Sequence, residues 1–283
     1  MGKAARIKGD LEDITELVEI IQVLKDVADT RFNELANRKD RFARFGQSFV
    51  EFFRMISLSE VRHPLVSNDN PKTGLICISS EAAFMGDLNG RVIRHTLAEM
   101  KRIPDCKLIV IGRKGVEKLK KAQPDMKTIV DIQEKGLYEV AVQLKDYIIK
   151  EVMEDRLGTV LLAYPWSKTF NLQKPRTIKL LPCDELLTKQ AEFVDSIEHV
   201  LQESDPIDII SYLADMWLVC RLYEVLHDTS ISEAAAQSQQ LESSVQKMKK
   251  DKKGISMAFT KARKGDIDKG MREVFTSRMM TRR

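Results

Sequence analysis

The sequence predicts two long helices, one at each end of the chain, flanking a small and mostly parallel α/β domain. Three observations carry that expectation. From about Ala5 to Phe53 there is no proline, and the only internal glycines are Gly9 and Gly46. Apolar residues there, Ile7, Leu11, Ile14, Val18, Ile21, Ala28, Phe32 and Leu35, recur at steps of three, four and seven, the stripe of a helix that packs along another. After Pro206 a second proline-free run begins with the strongly apolar "IDIISYLADMWLVCRLYEVLH" and continues through "SEAAAQSQQLESSVQKMKKDKKGISMAF" to Met279. Between these runs the pattern changes to short alternating β and helical units.

Each element follows in order. The first helix, with some 50 residues at ~1.5 Å each, is about 75 Å long, more than a globular helix needs. Strands are expected at "GLICISS" (74–80), "KLIVIGR" (107–113), "TVLLAYPW" (159–166) and "RTIKLLP" (176–182). Helices are expected at 86–102, 115–122 and 134–155. The order strand, helix, strand, helix implies a mostly parallel sheet. The last two strands have no helix between them and are expected to pair antiparallel at an edge. The second terminal helix is then the natural partner of the first. The resulting division is residues 1–60 as the first long helix, 70–190 as the α/β domain and 205–283 as the second long helix.

Composition narrows the function classes. Apolar residues make up 43% of the chain, enough for a core, and 31% are charged, above the usual quarter. That excess, with few aromatics, suits long solvated helices better than a compact enzyme. Formal net charge is +4, unevenly spread: residues 245–283 hold 13 Lys and Arg against 4 Asp and Glu. A basic end of this kind addresses nucleic acid, anionic lipid or an acidic protein surface. Only Phe259 and Phe275 are there to stack bases, so nucleic acid is not supported as a partner. No stretch nears the ~18 to 20 apolar residues of a membrane span, no signal peptide is visible, and the chain is expected to be soluble and cytoplasmic. Cys77, Cys106, Cys183 and Cys220 form no CxxC pair and read as reduced thiols, three of them in apolar runs.

No catalytic constellation emerges. The first strand-to-helix turn, "ISSEAAFMGDLNG", lacks both GxGxxG and GxxxxGK[ST], so it offers no phosphate cradle, and Asp87 or Asn89 reads as a helix cap. His63, His95, His199 and His227 have no companion at metal-ligand spacing and read as surface or interfacial. No serine has a GxSxG context, and most carboxylates lie beside lysines on helical faces. No cofactor and no metal is expected.

The same turn resembles the strand-turn-helix signature of the γ subunit of F-type ATP synthase, whose core reads ITSDKGLCGGLN. Ile78, Ser80, Gly86, Leu88 and Asn89 match without gaps, and Glu81 stands for Asp. Ala82, Ala83, Phe84 and Met85 replace the family's Lys, Gly, Leu and Cys. "SEAAAQSQQ…MAFTKARKGDIDKGMREVF" is similar to the family's SE-x-AARM…LVYNKxRQAxITxEL-x-EI, with Phe259 for Tyr, Lys261 for Lys, Arg263 for Arg and Ile267 for Ile. "LKDVADTRF" resembles MxMVAASKM, keeping Val27 and Ala28. "TVLLAYPWSKTFNLQKPRTIKLLP" resembles the family's VYNKF…TVEQLLP strand pair. In order, these motifs span nearly the whole chain.

The resemblance implies an antiparallel coiled coil of the terminal helices, with an inserted small α/β, Rossmann-like domain as the foot. It implies a non-catalytic rotor shaft that transmits torque between the c-ring of a membrane sector and the alternating α and β subunits of a catalytic ring. An ε-type subunit is a further implied partner, and the implied location is the cytoplasmic face of the cell membrane. Arg263 and Lys264 fall on an Arg-Gln pair that meets an acidic loop of the catalytic subunits in the family, and Asp268 falls on its Thr. Lys25 and Arg31, on the opposite helix, are expected to serve similarly. Gly86, Asp87, Leu88 and Asn89 form the motif turn of the foot. Two other readings stay open: a γ-like rotor or coiled-coil scaffold of a specialised rotary ATPase that does not make ATP, and a nucleotide-dependent α/β enzyme.

Overall fold

The computed structural model describes residues 3–55, 63–183 and 204–280. In chain order the elements are α1 (Lys3–Met55), β1 (Thr73–Ile78), α2 (Leu88–Met100), β2 (Lys107–Ile111), α3 (Arg113–Leu119), β3 (Lys127–Ile129), α4 (Leu137–Met153), β4 (Thr159–Thr169), β5 (Leu172–Leu181) and α5 (Pro206–Met280). A short 3₁₀ turn, Glu134–Gly136, leads into α4. The chain divides into two compact units, one of residues Thr30–Gln237 and one of Met1–Asp29 with Ser238–Arg283. Residues 1–2, 56–60, 184–190 and 281–283 of the sequence-based division lie outside the described residues, as does His199.

The larger unit is built on a five-stranded sheet in the order β3-β2-β1-β4-β5. β1 runs parallel to both neighbours, with Ile76 opposite Ile109 of β2 and Leu162 of β4. All six residues of β1 are buried, as a parallel strand covered on both faces should be. Its side chains alternate between two cores. Leu75 and Cys77 pack with Val92 and Ile93 of α2 and Leu119 of α3. Ile76 and Ile78 pack with Ala141, Leu144 and Ile148 of α4 and with Leu218, Leu222 and Val225 of α5. The apolar run after Pro206 is therefore explained by the sheet: the first turns of α5 belong to the core of the α/β layer. Burying each such Leu or Ile contributes about 1.5–3 kcal/mol.

The four expected strands are present, and β4 and β5 pair antiparallel with β5 at the edge. Pro175 sits in that edge strand, where a missing N–H costs no ladder bond. β3 was not expected. Its three residues, Lys127, Thr128 and Ile129, include two exposed ones and carry too little pattern to read as a strand.

The smaller unit is a helix pair. Ile7, Leu11, Ile14, Val18, Ile21 and Ala28 of α1 are all at least half-buried, as their spacing predicts, and Leu241 and Val245 of α5 are buried. The helices run antiparallel, because Lys25 meets Glu242 whereas Asp29, further along α1, meets Ser238, earlier in α5. Within the larger unit the same sense holds: Leu35 packs with Ile231 and Ala234, and Lys39 lies 2.9 Å from Asp228.

Cys77, Cys106 and Cys183 are buried free thiols and Cys220 is half-buried. Burial pushes the Cys77 thiol up to about 11 and also raises Cys106 and Cys220. Of the two readings of the histidines, surface or interfacial, the described ones take the second. His63 and His227 are buried and His95 is half-buried, because each packs where helices or loops meet the sheet or each other. Leu65 N–H donates to His63 Nδ1 at 3.3 Å, and Nε2 lies 3.0 Å from Ser211 Oγ, whose own proton goes to the Ile207 carbonyl. His63 is thus the neutral, Nε2-protonated tautomer. Among the described residues, no helix is long and apolar enough to cross a membrane.

Candidate functional site

The motif turn after β1 is held by its own side chains. Gly86 takes φ +52°, a left-handed conformation that suits glycine. Asp87 occupies the N-cap position of α2, but its carboxylate makes no capping bond and instead pairs with Arg94. The expectation of a cap is thus met in position and not in mechanism. Leu88 is buried against Met85 and Ala236. Asn89 is not a cap either: its Oδ1 accepts from Ser80 N–H at 3.0 Å and its Nδ2 donates to Ser80 Oγ at 2.7 Å. The turn is therefore a locked loop.

A nucleotide would sit beside the C-terminal ends of β1 and β2, and that space is taken by protein. Ser79 Oγ accepts from Gly115 N–H at 2.7 Å and donates to the Ile111 carbonyl at 2.9 Å, so a hydroxyl caps the start of α3 where a phosphate would lie. Gly112, at φ +92°, permits this approach, since a Cβ there would meet the Ser79 carbonyl oxygen at 1.9 Å.

Next to these strand ends lies a cavity of about 130 Å³. That is well below the ~300 Å³ and more of an ordinary cofactor pocket. Ile78, Ile111, Ile132, Leu137 and Leu226 supply apolar walls, and Arg31, Ser79, Glu81, Thr229, Ser230 and Glu233 supply polar ones. Glu81 Oε2 lies 3.7 Å from Arg113 Nε, whereas Glu81 Oε1 is buried with no hydrogen-bond partner among the described residues. Thr229, 4% exposed, also has an unpartnered Oγ1. Each such orphan costs about 1–3 kcal/mol if nothing satisfies it. Arg31, expected at a partner surface, is half-buried on this wall. Sequence reasoning missed Glu81 and Thr229 as a pair, although the buried polar run His227-Asp228-Thr229-Ser230 inside an apolar helix was a signal.

In the smaller unit Lys25 is an engaged cation. Its Nζ lies 2.8 Å from Asp29 Oδ2 and 3.4 Å from Glu242 Oε2. The hydrogen bond to Asp29 raises the Lys25 pKa despite the opposing effect of burial. Burial pushes the Asp29 carboxyl upward, but hydrogen bonds from Lys25 and Ser238 outweigh it and hold Asp29 below the usual carboxylate range. Lys25 thereby clamps α1 to α5.

Arg263, Lys264 and Asp268 are different. They are exposed on α5 and make no ion pair among the described residues. Every residue from Arg263 to Met280 is exposed, including Ile267, Met271, Val274, Phe275 and Met279. The glycines in this stretch, Gly265 and Gly270, have nothing within 4 Å of an added Cβ. Among the described residues nothing approaches them closely. Within the smaller unit, the partners of Lys25 are Asp29 and Glu242 and none of these three residues.

Among the described residues there is no metal-binding cluster of His, Cys, Asp or Glu. The family model described as ATP synthase matches residues 3–278. This chain belongs to the ATP synthase γ family. As a γ subunit it is a non-catalytic subunit of ATP synthase. The ATP synthase gamma chain of Synechococcus sp. (strain JA-2-3B'a(2-13)) is 23% identical over 260 residues, covering 82% of this chain and 83% of the relative. That of Nitratidesulfovibrio vulgaris is 23% identical, covering 88% of each. The fold is similar to a chain of the Tetrahymena thermophila mitochondrial ATP synthase central stalk/c-ring structure, with TM-score 0.62 and 18% identity over 80% of this chain and 99% of that one. It is also similar to a chain of the Euglena gracilis mitochondrial ATP synthase, OSCP/F1/c-ring, with TM-score 0.63 and 14% identity over 98% and 94%. The sheet of this γ-family chain carries the motif turn that first pointed to the family.

Proposed function

We propose that this chain is the rotor shaft of a membrane-bound ATP synthase, turning inside a ring of α and β subunits and seated through its α/β foot on a c-ring, with an ε-type subunit beside it. The location is the cytoplasmic face of the cell membrane. The working division is the one read from sequence: shaft helices at 1–60 and 205–283, foot at 70–190. The observation that carries this reading is the end of α5. A helix exposed all round, with several large apolar side chains facing water, lacks the tertiary packing that stabilises most helices and calls for a surrounding partner. Arg263, Lys264 and Asp268 lie on that segment, with charges free to meet an acidic loop of the catalytic subunits at short range. Lys25 and Arg31 reinforce the same contact from α1, Lys25 by holding the two helices together. Gly86, Asp87, Leu88 and Asn89 shape the foot without touching substrate. Torque is then a matter of unequal contacts: a shaft that differs from side to side favours a different conformation in each catalytic subunit as it turns.

Affinity purification of the full chain from its native membranes tests the assembly. Recovery of catalytic-ring subunits together with a c-ring is expected. Recovery of a catalytic ring alone would favour a specialised rotary ATPase, and recovery of neither would overturn the reading. Arg263→Ala in the assembled complex is expected to lower ATP turnover several-fold with the complex intact by size-exclusion chromatography. Unchanged turnover would remove Arg263 from the contact.

A further inference from the structure

The hairpin of β4 and β5 is longer than the sheet needs. β4 pairs with β1 from Thr159 to Ala163, whereas its ladder with β5 continues to Thr169, opposite Leu172. From Tyr164 to Arg176 the two strands therefore form an arm that runs past the last rung shared with β1. A lone two-stranded ribbon is marginally stable, and this one is stiffened along its length. Pro165 lies opposite Pro175, and each ring fixes its own φ at about −65°. The Arg176 guanidinium sits 5.3 Å from the centre of the Trp166 ring. At the tip, Ser167 Oγ donates to the Thr169 carbonyl at 2.9 Å, and Gln173 Nε2 donates to the Phe170 carbonyl at 2.6 Å. Two helices meet this arm. Arg91 of α2 donates to the carbonyl of Gln173 at 2.6 Å, and one turn further along α2 His95 Nε2 lies 2.7 Å from Thr177 Oγ1. From α1, the Phe32 ring meets Phe170 edge to face, with ring centres 4.8 Å apart and planes at 74°. Phe32 itself packs on Leu35 of α1 and on Ile231 and Ala234 of α5. All of these residues belong to the larger unit. One path thus runs from α2 through Arg91, Gln173 and Phe170 to Phe32, where both long helices meet.

We propose that this arm is a strut, holding α1 at Phe32 in a fixed position relative to α2 and the sheet, so that sideways force on the long helices passes into the α/β layer. Arg91 and Gln173 are positioning residues that act through Phe170. The Arg91 bond is charge-assisted, the stronger class of hydrogen bond, and it anchors the arm next to its tip. The ring pair resists displacement because its attraction depends on the edge-to-face geometry. In the rotor reading, on which this use of the strut rests, it keeps the α/β layer and the long helices of this unit turning as one body.

Amide hydrogen exchange on the full-length chain tests the strut independently of the rotor. Phe170→Ala is expected to speed exchange at residues 30–36 of α1 by roughly 3- to 10-fold, the usual worth of an aromatic pair, with β1 and β2 unchanged. Arg91→Ala should act on the same α1 amides, although its bond is to the hairpin, and Phe170→Tyr, which keeps the ring, should exchange as the wild type does. An Arg91→Ala effect confined to α2 and the hairpin overturns the strut, as does an unchanged α1 in Phe170→Ala. Should these variants fail to fold, NMR on the unmodified chain decides: Overhauser contacts between the Phe32 and Phe170 rings support the strut, and their absence overturns it. In the assembled complex, Phe170→Ala is expected to lower ion transport per ATP hydrolysed while hydrolysis continues. Unchanged transport overturns the mechanical role. Failure of the wild-type chain to recover a catalytic ring and a c-ring counts instead against the rotor reading and leaves the exchange result standing.

Discussion

The first turns of α5 and its last turns are one continuous helix doing opposite things. From Ile210 to Leu226 its apolar residues are packed against α4 and the sheet, and Ile210, Ala214, Leu218 and Leu222 are fully buried. From Arg263 to Met280 no residue is buried, although Ile267, Met271, Val274 and Phe275 are as apolar as those in the core. The same residue types thus hold a fold together in one stretch and stand ready for another chain in the other. The difference lies in neighbours, and stability and function separate along the helix accordingly.

Six substitutions break or sharpen that contrast. Leu218→Ala, in the packed stretch, is expected to cost about 2–5 kcal/mol in denaturant unfolding, the usual range for a buried cavity. A comparable truncation at Met271 should change the unfolding of the free chain by less than about 0.5 kcal/mol. Equal costs would erase the distinction. Asp29→Ala removes the hydrogen-bonded clamp with Lys25 and Ser238 and should cost about 1 kcal/mol. The folded Asp29 carboxyl titrates below its ordinary value of 3.8, so its contribution is present above that pH and is lost as pH falls through the lower folded value. The variant's acid-unfolding curve should be correspondingly flatter. His63 works in the opposite chemical sense. Burial lowers its pKa, so the unfolded chain protonates first and stability falls as pH drops below about 6.5. His63→Asn should shallow that slope, and an unchanged slope would show that other groups set it. The last effect has the opposite sign. Gly265→Ala and Gly270→Ala should each stabilise the exposed helix by up to about 1 kcal/mol, read as slower amide exchange around residues 260–275.

Much of the fold was written in periodicity. The stripe Ile7, Leu11, Ile14, Val18 lies at the helix interface because three-and-four spacing puts those side chains on one face. Burial on both faces made β1 and β2 visible as continuous apolar runs. β3 escaped because three residues cannot display a period. Exposure escaped as well. Leu17, Ile20, Val23, Leu24 and Val27 form a second apolar set on α1 that stays exposed, and sequence does not say which of two stripes finds a partner within the chain. The roles of Asp87 and Asn89 were partly misread because Arg94 and Ser80 compete for the side chains that a cap would use. The cavity had only the polar run His227 to Ser230 as a local signature, since Arg31, Glu81 and Thr229 are brought together by the packing of three distant segments.

The buried thiols have a practical consequence for watching such a shaft move. Cys77, Cys106 and Cys183 are enclosed by hydrocarbon, and a thiol held near 11, as Cys77 is, carries almost no thiolate at neutral pH. Maleimide dyes should therefore leave these three natural cysteines nearly unlabelled, with half-buried Cys220 as the one background site to replace. A single cysteine introduced at Phe275 would then carry a fluorophore selectively, giving an optical handle on the exposed end of α5 in a chain that is otherwise chemically quiet.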